Sequence, residues 1–289
     1  MNERLAQRPY TRSRAGRWWR GFLIAAIHAL PLWYLINGPD RSDWILFAVI
    51  FPFQGIGVVI GLHRYFAHHS FSTSRGFQFF LALCAASAFG DPIGFAGKHR
   101  LHHRHTDQQD DPHTPRHGFW SCWFGSLADS RYTDEEILAQ VPRLTRYPEL
   151  LWLHRHMQLP GLVLCLIAFL IGGMSGMAVG VLFGVAMLIN HSSAVNYFCH
   201  KFGRRRFDTD DDSTNNVMVS LLTLGEGWHN NHHRYPAATR QGFYWWEIDI
   251  TYMGLFLMSK LGLIWDLKPV PAPVLASGLH PPKEKLRNS

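Results

Sequence analysis

Histidines recur in this chain at spacings that can hold metal. One group is His63-Arg-Tyr-Phe-Ala-His68, a second is His99-Arg-Leu-His102-His103, and a third is His229-Asn-Asn-His232-His233. In the last two the spacing is i, i+3, i+4, which on a helix puts the imidazoles on one face, a pair aimed at one point and the third ring at an adjacent one. Two metal ions side by side are the natural occupants. Histidines that occur singly, His28, His154, His156 and His280, read as wet surface residues.

Imidazole ligates zinc, copper, iron and nickel alike, so ligand type leaves the metal open. The two Glu-x-x-His motifs that soluble di-iron bundles combine do not accompany these boxes, where only Glu226-Gly-Trp-His229 has that spacing. Neutral ligands add no negative charge to offset the metals. An all-histidine site therefore favours the reduced divalent state and makes its oxidised forms strong oxidants, suited to an unactivated C–H bond. Ligating imidazoles need acceptors for their other N–H, and the candidates are Asp107, Asp110, Asp111, Glu226 and the acidic run 208–212. Glu226, three residues before His229, is the first choice.

Elements must bring residues 63, 103 and 233 to one place. Four stretches are long and apolar enough to approach the ~20 residues of a spanning helix: 18–36, 44–62, about 155–174 and 177–196. They form two hairpins, turning at Asn37-Gly38-Pro39-Asp40 and at the small residues of 172–176. Arg4, Arg8, Arg12, Arg14, Arg17 and Arg20 precede the first stretch, while the turns hold only Arg41, so positive-inside bias puts both termini in the cytoplasm. No clean cleavage site follows the first stretch, which argues against a signal peptide. A fifth apolar stretch, 77–97, cannot cross, because the first and second histidine groups would then lie on opposite faces. Gly90-Asp91-Pro92 breaks it, and it is expected to be re-entrant or interfacial.

The expected fold is an all-α integral membrane protein, one domain over 1–289, with four transmembrane helices and a cytoplasmic helical cap (63–150 and 197–268) holding the metal site. The Pro-rich end, 269–289, reads as a mobile tail. Net charge +7 suits anionic headgroups or a phosphorylated substrate, and no nucleic-acid motif is present. Mean hydropathy of -0.07 requires a large polar part beside the apolar runs. Cys84, Cys122, Cys165 and Cys199, without paired spacing, read as packing residues in a reducing compartment.

Taken together, the boxes and hairpins resemble the membrane-bound fatty acyl desaturases of the stearoyl-CoA type, over most of the chain. Supporting matches are Gly61-Leu-His-Arg-Tyr-Phe-Ala-His-His-Ser-Phe71, Asp111-Pro-His113 and Gly225-Glu-Gly-Trp-His-Asn-Asn-His-His233. The resemblance implies a di-iron centre ligated by His63, His68, His99, His102, His103, His200, His229, His232 and His233. Asn196, in Asn196-Tyr-Phe-Cys-His200, would hold a metal-bound water. It also implies O2-dependent removal of two hydrogens from neighbouring methylenes, giving a cis double bond (delta-9 is the expectation) in a saturated acyl chain carried as a CoA thioester or in a lipid.

Electrons must come from a separate ferredoxin, cytochrome b5 or flavoprotein reductase, because the chain has no haem-binding, iron–sulfur or nucleotide motif. Glu226 and Asp111 are expected to orient ligand rings, and Arg116, Trp120 and Trp228 to contact substrate. Arg116, Lys201 and Arg204-Arg205-Arg206 could meet phosphates of CoA or of lipid. The expected home is a bacterial inner membrane. Alternatives are a histidine-box acyl or alkane hydroxylase, which shares the first hydrogen abstraction, and a metal transporter or sensor. A transporter needs mid-span polar groups, of which the spans offer only His28, Gln54 and His191.

Overall fold

A computed structural model describes residues 13–128 and 130–279. Arg4, Arg8, Arg12, His280 and the rest of 280–289 lie outside the described residues. Helix α1 (Arg14–Asn37) starts where the Ser13 side chain accepts from the Gly16 N–H. Helix α2 (Arg41–Gly55) starts at a capping box between Asp40 and Asp43. It runs without interruption into a π-helical stretch, Ile56–Ala67. The expected second span stopped at 62 with the first histidine box beyond it; instead one rod, Arg41–Ala67, carries both.

The fifth apolar stretch is two helices, α3 (Arg75–Ser87) and α4 (Pro92–His105), bent by 86°. Asp91 supplies the break: it caps α4 by accepting from the Ile93 N–H at 3.1 Å, and Pro92 opens the helix where its missing N–H costs nothing. Gly57 lets α3 lie directly on the rod, since a Cβ there would sit 2.1 Å from the Ala85 nitrogen. Short helices α5 (Ser126–Ala128), α6 (Asp134–Ala139) and α7 (Pro148–Arg155) follow. The main core joins α3, α4, α7 and the rod through Phe66, Leu81, Ile93, Leu150 and Leu153, all fully buried.

The next apolar stretch runs through α8 (Leu159–Met177), a π-helical turn (Ala178–Leu182) and α9 (Phe183–Phe198), broken at Gly173 (φ 64°, ψ -156°). That conformation is essentially restricted to glycine. The chain folds back there: a Cβ on Gly176 would lie 3.0 Å from the Ala168 carbonyl, whereas eight residues of straight helix span about 12 Å. The same Gly176 faces Asp43, as does Gly172. The turn at 172–176 and the turn before α2 therefore meet at one end of the molecule. His63 lies on the order of 30 Å further along the rod, one hydrocarbon thickness.

The remaining described chain forms α10 (Val217–Leu222), α11 (His229–Arg234), α12 (Ile250–Lys260) and α13 (Ala272–Gly278), with one two-stranded antiparallel pair, β1 (Ser72–Thr73) and β2 (Ile264–Trp265). The expected mobile tail is a correction as far as residue 279: Val270, Val274 and Leu275 pack on Phe207, Phe243 and Tyr244, and the Tyr244 hydroxyl donates to the Leu275 carbonyl at 2.7 Å. Helices α10 and α12 are inside out. Ser220 is 2% exposed while Leu222 is 75% exposed, and Met253, Phe256 and Leu257 of α12 also face outward. Both pack at the histidine end, α10 on α9 and α12 beside the rod.

Candidate metal centre

The His-x4-His spacing of the first box does not suit an α-helix, where residues five apart diverge. In a π-helix i and i+5 are hydrogen-bonded neighbours. The His68 N–H donates to the His63 carbonyl at 3.3 Å, and both rings fall on one side of the rod. The second box lies on α4 and the third on α11, where i, i+3, i+4 does what the spacing requires. His200 comes from the turn that ends α9.

All nine rings gather into two adjoining clusters. Nitrogens of His63, His68, His99 and His232 lie within 4.8 Å of one another. The Nε2 of His103 joins this first cluster, 3.0 Å from both His99 Nε2 and His232 Nε2. His102, His200, His229 and His233 form the second, again within 4.8 Å. Each triplet is thus divided, the i, i+4 pair on one cluster and the i+3 ring on the other.

The outward-facing nitrogens explain how the rings are held. His102 Nδ1 meets Asp111 at 2.9 Å, His200 Nδ1 meets Asp107 at 2.9 Å, His233 Nδ1 meets Asp211 at 2.8 Å, and His63 Nδ1 meets Glu226. Ionised carboxylates only accept, so these four rings carry their proton on Nδ1 and present a bare Nε2 inward. In the second cluster His200 Nε2 and His233 Nε2 both face His229 Nε2, at 3.1 and 3.0 Å, and His102 Nε2 is buried with no partner. One proton on His229 can satisfy one lone pair. The others lack a donor among the described residues, and four neutral nitrogens around one point fit a divalent transition metal.

Burial holds the imidazoles of His68, His99, His103, His229, His232 and His233 well below their ordinary range, the neutral state a ligand needs. Burial would raise the Glu226 carboxyl, but Arg64 and His63 outweigh it and hold it at about 2. Asp107 is likewise held at about 2 against burial, by His200. His102 runs the other way: burial lowers it, and Asp111, Asp107 and Asp211 together raise it.

Glu226 orients a ring, although of His63 rather than of the nearby His229. The acidic run contributes Asp211. Asn196 is half-buried on α9 one turn before His200. Arg116 is exposed and paired with Asp212 at 2.6 Å. Trp120 stands at an open apolar cleft of ≈ 450 Å³ with Ile24, Ala25 and Phe124. Trp228 is buried, its indole N–H donating to the Ile248 carbonyl at 2.8 Å, so it packs the third box. Arg205 and Arg206 are occupied within the protein, by the Asp211 carbonyl and by Glu247. Two histidines read as wet surface are corrected: His28 bonds Asn190 at 2.9 Å between helices, and His154 bonds Asp91 at 2.8 Å, both part-buried where a neighbouring helix offers a partner.

Four residues escaped the sequence reading. Arg64, 1% exposed, reaches Glu226 at 2.7 Å, Asp249 at 3.2 Å and the Thr239 carbonyl at 2.6 Å, tying the first box to the segments flanking the third. Gln241 lies 3.2 Å from His232 Nδ1. Its amide oxygen has no partner; turning the amide over gives that oxygen the Nδ1 proton. Asn230 accepts from the N–H groups of Arg206 and Phe207, and Asn231 donates to the Gln241 carbonyl and Glu247, fixing α11. The available signal for Arg64, Asn230 and Asn231 was adjacency to a histidine in the boxes; Gln241, eight positions after His233, carried none.

Residues 42–254 match the fatty acid desaturase family. The chain is 38% identical over 260 residues to an sn-1 stearoyl-lipid 9-desaturase of Anabaena variabilis, covering 87% of this chain and 93% of that protein. It is 34% identical over 249 residues to delta-9 acyl-lipid desaturase 2 of Arabidopsis thaliana, with 84% and 80% covered. An icosanoyl-CoA 5-desaturase of Limnanthes douglasii is 33% identical over 250 residues, with 85% and 70% covered. With nine histidines folded into two metal-ready clusters beside long apolar helices, and with relatives matched over most of their length, this chain belongs to the fatty acid desaturase family.

Proposed function

We propose that this oxidoreductase uses two iron ions, O2 and externally supplied electrons to insert a cis double bond, at the delta-9 position, into a saturated acyl chain. The observation that carries the reading is the division of nine inward Nε2 atoms between two adjoining clusters. His63, His68, His99, His103 and His232 would hold one iron, and His102, His200, His229 and His233 the other, with Asn196 acting through a water. Bound iron would supply reductive activation of O2 and the oxidant for two successive hydrogen removals.

The chain's own residues set the conditions for that chemistry. Asp107, Asp111, Asp211 and Glu226 keep each partner ring's proton on Nδ1 and its lone pair inward. Arg64 holds Glu226 in place. Burial of His63, His99, His102, His200, His229 and His232 keeps bulk water from the clusters. In the proposed topology both termini and the site are cytoplasmic, α1, the rod and the α8–α9 hairpin cross the membrane, and α3–α4 is re-entrant. The outward apolar faces of α10 and α12 rest in the adjoining leaflet.

Relatives' names divide between lipid-linked and CoA-linked acyl chains. The test therefore supplies both: the chain is expressed in membranes with a reductase and donor, and its lipids, and separately added saturated acyl-CoAs, are analysed by gas chromatography and mass spectrometry. A product two hydrogens lighter supports desaturation; gain of one oxygen makes the chain a hydroxylase. If iron-loaded protein forms neither product and His102→Ala behaves like wild type, the enzymatic reading fails.

A further inference from the structure

The two clusters have unequal charge behind them. Three rings of the second cluster rest on carboxylates: His102 on Asp111, His200 on Asp107 and His233 on Asp211, at 2.8 to 2.9 Å. Among the described residues, no lysine or arginine side chain pairs with any of the three carboxylates. In the first cluster, among the described residues, His63 alone rests on a carboxylate, Glu226, and that carboxylate shares the Arg64 guanidinium with Asp249. His232 rests on the neutral amide of Gln241. Three carboxylates thus stand behind one cluster, against two carboxylates and a guanidinium behind the other.

An acceptor carboxylate makes the ring it holds a more basic ligand, and its charge acts on a cation a few ångströms beyond. We infer that the two metal positions are inequivalent: the His102, His200, His229 and His233 position takes the first divalent iron and binds it more tightly, because Asp107, Asp111 and Asp211 back it. This rests on the di-iron reading above and adds an order of filling.

Full-length protein, stripped of metal by chelator in detergent, is titrated anaerobically with iron-57(II) against a competing chelator and followed by Mössbauer spectroscopy. One quadrupole doublet is expected up to one equivalent and a second doublet from there to two. Asp211→Asn, an isosteric change at the cap's edge, is expected to weaken the first equivalent about 10-fold and leave the second nearly unchanged. Doublets that grow together in wild type overturn the inference while leaving two irons bound, as does Asp211→Asn weakening only the second equivalent. Wild type that saturates below two equivalents overturns the di-iron reading itself. The wild-type spectra decide whether filling is ordered without any variant, and Asp211→Asn assigns which position fills first.

Discussion

Arg64 is the residue on which two buried carboxylates, Glu226 and Asp249, depend for a cation. Its guanidinium lies between Glu226 and Asp249 with almost no exposure. Arg64→Met leaves two buried carboxylates unpaired, for which the expected loss is about 3–5 kcal/mol, and it frees Glu226 from its place behind His63. Thermal unfolding together with metal analysis checks both effects. Arg64→Lys keeps the charge without the fork and is expected to recover part of the stability.

Acid should act through the rings. Unfolded histidine titrates near 6.5, and the six buried imidazoles titrate lower. The unfolded chain therefore binds more protons on acidification, so the metal-free fold is fully stabilised above about 6.5 and weakens as pH falls below it. The raised His102 works in the opposite direction, one ring against six. Glu226 and Asp107, both at about 2, add a second loss below about 4. Melting temperature of metal-free protein between about pH 7.5 and 4.5 should fall steadily; a flat profile contradicts this account. Most of the nine clustered histidines were legible because their spacing is local. Arg64 was not, since its partner Glu226 is 162 positions away.

Caps and breaks were the legible part of the elements. Asp91-Pro92 and the glycine turn at 173 act where local chemistry requires, because each is decided by residues a few positions apart. The π-helical phase of Ile56–Ala67 was not legible, since the same apolar residues suit either helix and tertiary packing chooses. Gly57 is where that choice is exposed: Gly57→Ala drives a methyl into the backbone of α3. It should cost about 1–3 kcal/mol, read as a lowered melting temperature. Gly173→Ala is strained by its positive φ, and a loss of about 1–3 kcal/mol is expected in the same measurement. Helix α13 was misread as tail because Pro271 and Pro273 suggest irregular chain, whereas here they begin a helix whose apolar side has a partner.

Across the whole molecule, the two turns meet at one end and the histidines gather at the other. Single cysteines placed at 40 and at 175 should react with an impermeant thiol reagent from the face opposite to one placed at the exposed position 108. Labelling of 108 together with 40 would refute the proposed arrangement. The long apolar helices were legible from length and polarity alone, while the outward apolar faces of α10 and α12 were not, because short helices give no periodic signal long enough to read.

The clustered histidines are spread over more than half of the chain, from His63 on the rod to His233 on α11. A ribosome that has released the first two boxes has delivered rings without the carboxylate of Asp211 or the third box. The complete pair of clusters cannot exist until residue 233 has emerged. In the proposed reading, filling of both metal positions is therefore a late event in biosynthesis, and a nascent chain arrested before α11 would have its long apolar helices complete with the clusters still open.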